Sequence, residues 1–339
     1  MTLPIYLGTY TRRDSKGIYQ IDLNTETQQL ENLTLLIDEV SPTYLAQAQS
    51  GELFTVTTVD GLGGTAAYNK TAEGYQKANA ITEEGAPTCY VAVDEKRQLV
   101  YAANYHKGEV LVYKINADGT LTLTDKAQHE GTGPHENQEK AHAHYSDLTP
   151  DGRLVVCDLG TDEVFTYDVS NEGKLTEVAR FTAQPGTGPR HIVFHPNHTT
   201  AYLFGELNST VNVLTYDAAT GSFTEEMVAS TLPADYDGFN GGAAIRISKD
   251  GRFVYASNRG HNSIAVFAVK DNSVERIQLI STEGDFPRDF NLDPSGEFVV
   301  AANQNSDNLT LYRRDAESGQ LSLLQKDVYA PEAVCVVFA

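Results

Sequence analysis

Six copies of one pattern run along the chain, and this repeat constrains the fold more than any other feature of the sequence. Each copy holds a short apolar strand, a turn, and a second apolar strand that ends in a polar residue. The copies begin at Pro42, Pro87, His142, Pro189, Gly242 and Pro287. Apolar runs this short, bounded by turn residues, indicate strands rather than helices. Starting points that lie 45 to 55 residues apart are typical of the blades of a β-propeller.

The two ends of the chain supply a seventh copy. Residues 331–338 match the first strand of a blade with nothing after it, whereas the chain start matches the remaining strands of a blade that lacks its first. Joining the two ends completes a four-stranded blade and leaves only short sheet edges. We therefore predict an all-β fold, a seven-bladed β-propeller that forms a single domain over residues 1–339, with blade 1 closed by the carboxy-terminal strand.

The charge of the chain limits its partners. The formal net charge is −21, and neutralising nucleic-acid phosphates needs clustered Lys and Arg. The same charge opposes binding to an anionic membrane surface, so we expect neither nucleic acid nor membrane as a partner. A small anionic ligand would need a local group of arginines to overcome the long-range field. The positions of the arginines are therefore informative.

The cysteines and the amino terminus point to a cytoplasmic protein. Cys89, Cys157 and Cys335 are too few and too scattered for a disulfide framework, which favours a reducing compartment. The first residues lack the basic start and apolar stretch of a signal peptide. No apolar run approaches the roughly 20 residues that span a bilayer.

The topology of a blade predicts which residues surround a binding site. In a four-stranded up-and-down blade, the start of the first strand and the end of the second lie at the same end, so these positions should ring one mouth of the central channel. First-strand positions contribute Tyr44, Cys89, His142, His144, Arg190, His191, Arg288 and Asp289. Second-strand ends contribute Arg12, Asp60, Asn104, Tyr105, Asp158, Glu206, Arg259, Asn303 and Gln304.

Arginines are prominent among these mouth positions. Arg190, Arg259 and Arg288 belong to the ring, and Arg12 lies at its edge. Guanidinium groups bind phosphate or carboxylate through paired contacts, which predicts a small anionic substrate. Propellers also use polar residues at these positions to satisfy backbone groups, so a structural role for any single residue stays open.

His142 and His144 allow two interpretations. Residues two apart on a strand share a face, so the pair could contribute to a zinc site, and His129 and His135 lie nearby in the sequence. No matching cysteine or Asp-rich loop accompanies them. A structural or acid/base role for one of the two is favoured, and we predict no metal and no cofactor. Nucleotide-binding glycine loops and the GxSxG nucleophile elbow are absent from the sequence.

Several segments resemble one family, the seven-bladed propeller lactonases, which include bacterial 6-phosphogluconolactonase and, more distantly, the fungal carboxy-cis,cis-muconate cyclases. The most specific segments are YLGTYT from Tyr6, HAHYSDLTPDG from His142 and GTGPRHIVFHPN from Gly186. The resemblance implies hydrolysis of a sugar lactone, most simply 6-phosphogluconolactone in the pentose phosphate pathway. It also implies a cofactor-free site built from a His, two Arg and a Glu, which correspond to His144, Arg190, Glu206 and Arg259.

The expected roles follow from the chemistry of these groups. Either Glu206 or His144 would act as the general base, and Arg190 and Arg259 would stabilise the oxyanion. Arg288 and Arg12 would hold a phosphate. His191, Asn104 and Gln304 complete the predicted substrate contacts. The alternatives are a cyclase or lactonase acting on a carboxylated muconolactone-type ring, a non-catalytic binding propeller, and a calcium-dependent lactonase, which an arginine-rich mouth disfavours.

Overall fold

The computed structural model describes residues 1–339 and contains 28 β-strands and no helix. The strands form seven four-stranded sheets, and strands that follow one another in the chain lie side by side within each sheet. This confirms the all-β class and the seven-sheet organisation that the repeat predicts. None of these elements is a helix long and apolar enough to cross a membrane.

The first four sheets follow the chain from its start. The first sheet contains β1 (Thr2–Thr9), β2 (Gly17–Asn24), β3 (Gln29–Asp38) and β28 (Ala333–Phe338). The second contains β4 (Leu45–Gln47), β5 (Leu53–Val59), β6 (Leu62–Thr71) and β7 (Gly74–Glu83). The third contains β8 (Tyr90–Asp94), β9 (Leu99–Asn104), β10 (Glu109–Ile115) and β11 (Leu121–Gln128). The fourth contains β12 (Ala143–Leu148), β13 (Leu154–Asp158), β14 (Glu163–Val169) and β15 (Leu175–Thr182).

The remaining three sheets repeat the arrangement. The fifth contains β16 (Pro189–Phe194), β17 (Thr200–Gly205), β18 (Thr210–Asp217) and β19 (Ser222–Ser230). The sixth contains β20 (Gly241–Ile247), β21 (Phe253–Arg259), β22 (Ser263–Lys270) and β23 (Ser273–Ser281). The seventh contains β24 (Pro287–Leu292), β25 (Phe298–Asn303), β26 (Asn308–Arg314) and β27 (Leu321–Tyr329).

The first sheet joins the two ends of the chain. β28 pairs antiparallel with β1, so that Ile5 lies opposite Phe338 and Leu7 opposite Val336. Ile5 and Leu7 are fully buried and pack in one apolar cluster with Val336. The predicted closure of this sheet by the carboxy-terminal strand is confirmed.

Strand position within a sheet decides the sequence pattern. β9 and β17 are buried along their whole length, and each is a continuous run of mostly apolar residues rather than an alternating one. The fourth strands are the most exposed: in β27 only Leu321 is buried, and the other residues are exposed or half-buried. Gly119, Gly152 and Gly251 each follow an aspartate in a turn between strands and adopt φ values of +82°, +87° and +74°, a region that glycine enters without steric cost.

The chain divides into two compact units. The first unit comprises residues 1–35, 190–216 and 224–339, and the second unit comprises residues 36–189 and 217–223. Apolar clusters fill both: Phe204 and Phe267 are fully buried in one cluster of the first unit, and Phe54 and Tyr113 in the second unit. The single domain over residues 1–339 stays a prediction.

Candidate active site

A half-buried carboxylate in the first unit holds two buried arginines. Oε2 of Glu206 lies 2.9 Å from Nε of Arg190 and 2.9 Å from Nη2 of Arg259. Arg190 is at the start of β16, Glu206 directly follows β17, and Arg259 ends β21. The arginine side chains are 3% and 8% exposed, whereas the Glu206 side chain is 20% exposed. One face of the carboxylate therefore remains accessible while both guanidinium groups are fixed.

Backbone carbonyls of β20 fix the same two arginines, Arg190 from the adjacent sheet and Arg259 from its own. Nη1 of Arg190 donates to the carbonyl of Ala243, and Nη2 of Arg259 donates to the carbonyl of Gly242 at 2.7 Å. The amide of Gly242 donates in turn to the carbonyl of Glu206 at 2.9 Å. Charged donors bound to several fixed acceptors lose little freedom on binding an anion, so the two guanidinium groups are preorganised.

The charges in this cluster determine the protonation of Glu206. Burial by itself raises the pKa of a carboxyl group, but the positive charges of Arg259, Arg190 and Arg288 outweigh burial and hold the pKa of Glu206 below its usual range. Burial also lowers the pKa of Arg259, against the opposing attraction of Glu206. Glu206 is therefore an ionised anchor for the arginines and a weak base.

Arg12 and Arg288, also predicted from the sequence, both lie against the ring of Tyr10. Cζ of Arg12 lies 3.9 Å from the ring centroid of Tyr10, and Cζ of Arg288 lies 5.7 Å from it. The positive charge of Arg288 also lowers the pKa values of Glu206 and Arg259. The first unit therefore brings together all four arginines predicted from the sequence. Such a concentration of positive charge in an acidic chain is an anion-binding arrangement.

β-Bulges displace two of the predicted residues from regular pairing. In β24, Pro287 pairs with Asn303 and Asp289 with Ala302, so Arg288 is the extra residue. In β12 of the second unit, Ala143 pairs with Asp158 and Tyr145 with Cys157, which makes His144 the extra residue there. Bulges re-aim side chains and are over-represented beside active sites.

Glu332, which the repeat pattern does not single out, supports the loop that carries Arg12. Its carboxylate accepts hydrogen bonds from the amides of Arg12 at 3.0 Å, Arg13 at 2.8 Å and Ser15 at 3.2 Å. Arg13 also forms an ion pair with Asp307 at 2.7 Å. The sequence shows only a glutamate directly before the last apolar run, and its partners lie more than 300 positions away.

His191 and Gln304 also lie in the first unit. His191 is buried, and its Nε2 lies 3.3 Å from Nη1 of Arg190. The backbone amide of Gln304 donates to the carbonyl of Phe286 at 3.1 Å, and its side chain donates to Asn305 at 3.3 Å. Contact of either residue with a substrate stays a prediction.

Asn104, in the second unit, binds backbone groups with both ends of its amide. Nδ2 donates to the carbonyl of Ala86 at 2.9 Å, and Oδ1 accepts from the amide of Lys107 at 3.1 Å. Asn104 therefore closes the turn after β9, which is the structural role that the sequence left open for such positions. Its contact with a substrate stays a prediction.

The second unit also holds the predicted histidine pair around Tyr105. His142 stacks on the Tyr105 ring at 4.2 Å, and its Nδ1 lies 2.8 Å from the Tyr105 carbonyl. His144 is buried and meets the same ring edge-on at 5.9 Å. Because the bulge at His144 interrupts the alternation of the strand, the argument that His142 and His144 share a face does not apply. No group of three or more His, Cys, Asp or Glu side chains suited to a metal ion occurs in residues 1–339.

His129 belongs to a buried hydrogen-bond network. Its Nδ1 lies 2.7 Å from Oδ2 of Asp158, and its Nε2 lies 2.9 Å from the hydroxyl of Tyr167. The other oxygen of Asp158 accepts hydrogen bonds from three backbone amides, those of His142, Gly160 and Thr161. This carboxylate therefore fixes the chain segment directly before β12.

Asp158→Ala is expected to lower the free energy of unfolding by roughly 3 to 5 kcal/mol, because it leaves His129 and three buried amides without their acceptor. Urea denaturation of both proteins measures the difference. Asp168→Ala is the control. The Asp168 side chain is 57% exposed, so its ion pair with Arg153 should contribute about 1 kcal/mol or less to the free energy of unfolding. Equal losses in the two variants would contradict the structural role of Asp158.

Comparisons with known proteins give the same family along the whole chain. The family described as "Lactonase, 7-bladed beta-propeller" matches residues 4–338. A 6-phosphogluconolactonase of Bacillus subtilis is 43% identical over 340 residues, which cover 98% of this chain and 97% of that protein. A solved structure of a protein from Lactobacillus plantarum is 54% identical and covers 100% of both chains with a TM-score of 0.99. A periplasmic gluconolactonase of Pseudomonas aeruginosa is 29% identical, covers 100% of this chain and 99% of its own, and has a TM-score of 0.93.

Proposed function

The chain belongs to the seven-bladed β-propeller lactonases and is a lactone hydrolase, and on that premise we propose that it hydrolyses 6-phosphogluconolactone to 6-phosphogluconate. The observation that carries the proposal is the group of Arg12, Arg190, Arg259 and Arg288 in one unit of a chain with a net charge of −21. The 43% identity to the Bacillus subtilis 6-phosphogluconolactonase supports the same substrate.

The buried arginine pair supplies the electrostatic part of the proposed mechanism. The lactone carbonyl lies against the guanidinium groups of Arg190 and Arg259, and their N–H groups stabilise the oxyanion that forms when water attacks. Glu206 holds both groups in place and compensates part of their charge, which makes burial of two arginines tolerable. The carboxylate acts by positioning and not by proton transfer.

We assign the general base to His144. The sequence left His144 and Glu206 as alternatives, and the lowered pKa of Glu206 makes its carboxylate the weaker base. An imidazole is the side chain best matched to proton transfer near neutral pH. His144 accepts a proton from the attacking water as the new C–O bond forms, and it returns the proton to the ring oxygen as the ester bond breaks. The sequence topology, which predicts His144 at the same mouth as the arginines, supports this assignment.

The phosphate is assigned to Arg288 and Arg12, and this assignment can be tested by substrate comparison. Arg12→Ala should raise KM for 6-phosphogluconolactone about tenfold and leave kcat/KM for unphosphorylated gluconolactone unchanged, because an exposed charge-assisted contact to phosphate is lost. Both rates are measured at slightly acidic pH, where spontaneous hydrolysis is slower. Arg13→Ala is the matched control in the same loop, since Arg13 is committed to Asp307.

Two other results would redirect the proposal. A loss of equal size on both lactones in Arg12→Ala would remove the phosphate contact, and faster wild-type turnover of the unphosphorylated lactone would favour a gluconolactonase, as in the Pseudomonas aeruginosa relative. Turnover of neither lactone would favour a carboxylated muconolactone-type ring or a binding role. The cytoplasmic location, the small anionic lactone as the partner, and the absence of a metal, a cofactor, nucleic acid and membrane from the function stay predictions.

A further inference from the structure

Phe286 adopts a backbone conformation that a bulky residue normally avoids. Its φ is +67°, in the left-handed region, and it directly precedes Pro287. A side chain with a Cβ is disfavoured in this region, and a following proline restricts the residue further. The conformation is held from two sides, because the Phe286 amide donates to Oδ1 of Asn262 at 2.9 Å and its carbonyl accepts from the amide of Gln304 at 3.1 Å.

The same backbone position occurs in other copies of the repeat with smaller residues. Gly188 before Pro189 has φ +61°, and Ser41 before Pro42 has φ +47°. The left-handed turn before the first strand is therefore a recurring feature of the fold, and glycine takes it without strain. A phenylalanine at this position is not needed to form the turn.

The ring of Phe286 lies against an arginine of the candidate active site. Cζ of Arg259 lies 5.2 Å from the ring centroid, while the Nη2 of the same guanidinium group contacts Glu206 at 2.9 Å. Tyr10 provides the corresponding ring for Arg12 and Arg288. Aromatic faces attract cations and restrict their movement without neutralising their charge, which keeps an arginine available for an anion.

We infer that Phe286 is a positioning residue for Arg259, and that its ring holds this guanidinium group in the orientation that stabilises the oxyanion. The inference rests on the proposed function, because it assigns Arg259 to that role. Backbone strain at functional residues persists only where the surroundings maintain it, as Asn262 and Gln304 do here. The contact of this ring with Arg259 gives the strained residue its role.

Phe286→Gly separates this role from a structural one. Glycine relieves the left-handed conformation and removes the ring, so this variant should melt roughly 1 to 3 °C above Phe286→Ala, which keeps the strain. Both variants should lose about tenfold in kcat/KM, mainly in kcat, because an interaction with the transition state is weakened. Phe286→Tyr retains a ring and should stay within about twofold of the wild type.

His198→Gly is the matched control, because His198 has the same φ of +67° in an exposed turn. It should melt above His198→Ala, as Phe286→Gly should melt above Phe286→Ala, and leave kcat/KM unchanged. Wild-type kcat/KM in Phe286→Gly, or an equal loss in Phe286→Tyr, would overturn the inference. The wild-type rate measured in parallel tests the proposed function separately. Calorimetry measures how tightly the wild type and the Phe286 variants bind 6-phosphogluconate, without turnover. The affinity of Phe286→Gly should be several-fold weaker than that of the wild type.

Discussion

Arg190→Ala is expected to lower kcat/KM for 6-phosphogluconolactone by about 10²- to 10³-fold. The guanidinium group of Arg190 is fixed by Glu206 and by the carbonyl of Ala243, so its remaining N–H directions are preorganised for a developing negative charge. Arg190→Lys keeps the charge but loses the forked geometry, and it should recover only part of the loss. Steady-state kinetics of the three proteins at saturating and limiting substrate measure both effects.

Arg313→Ala is the control for this substitution, because the Arg313 side chain is 44% exposed and pairs with Glu297. It should turn over the substrate at the wild-type rate. A melting temperature measured for Arg190→Ala separates loss of catalysis from loss of folding. Wild-type turnover in a folded Arg190→Ala protein would remove this residue from the mechanism.

Glu206→Gln is expected to have the second large effect, on both activity and stability. The amide cannot balance the charges of Arg190 and Arg259, which lie within 2.9 Å of the carboxylate in the wild type. Breaking a buried ion pair by removing one partner costs on the order of 3 kcal/mol in the free energy of unfolding. The repelling arginines should also leave their oriented positions, so kcat should fall by about 10²-fold or more.

The pH dependence of stability provides an independent measurement of the same carboxylate. The pKa of Glu206 is lower in the folded protein than in the unfolded chain, so its contribution to stability is fully present above the unfolded pKa of about 4.3. That contribution is lost as the pH falls from this value through the folded pKa. The wild type should therefore lose stability below about pH 4.5 more steeply than Glu206→Gln, which has no carboxyl group to protonate at this position.

Urea denaturation at a series of pH values between neutral and acid compares the two proteins. Glu297→Gln is the control, because the Glu297 side chain is 44% exposed and screened by solvent, and it should follow the wild-type curve. Parallel curves for the wild type and Glu206→Gln would show that Glu206 has an ordinary pKa, contrary to the charge arrangement described above.

The parts of the structure that depend on local sequence could be predicted. Short apolar runs between turn residues identified the sheets, and the unmatched runs at the two chain ends identified the pairing of β28 with β1. Positive φ values at Gly119, Gly152 and Gly251 follow directly from their Asp-Gly turns. Arg190, Glu206 and Arg259 were predicted at one mouth because the start of the first strand and the end of the second strand of a blade lie at the same end, and the family resemblance implied all three as site residues.

Contacts between distant parts of the chain could not be predicted in this way. Glu332 binds the amides of Arg12 and Arg13 across more than 300 positions, and no local pattern encodes that contact. Asn104 closes the turn after β9, a structural role that the sequence left open, and its contact with a substrate stays a prediction. The left-handed conformation of Phe286 could not be predicted from the sequence either, because a residue before proline favours an extended backbone in the absence of other contacts.

We propose that this lactonase acts on 6-phosphogluconolactone through arginines and without a metal ion. The decisive measurement is hydrolysis of that lactone by the unmodified protein, followed by acid release at slightly acidic pH in the presence of EDTA. We predict turnover well above the spontaneous rate and unaffected by EDTA. Turnover that EDTA abolishes, or no turnover of this lactone above the spontaneous rate, would contradict the claim.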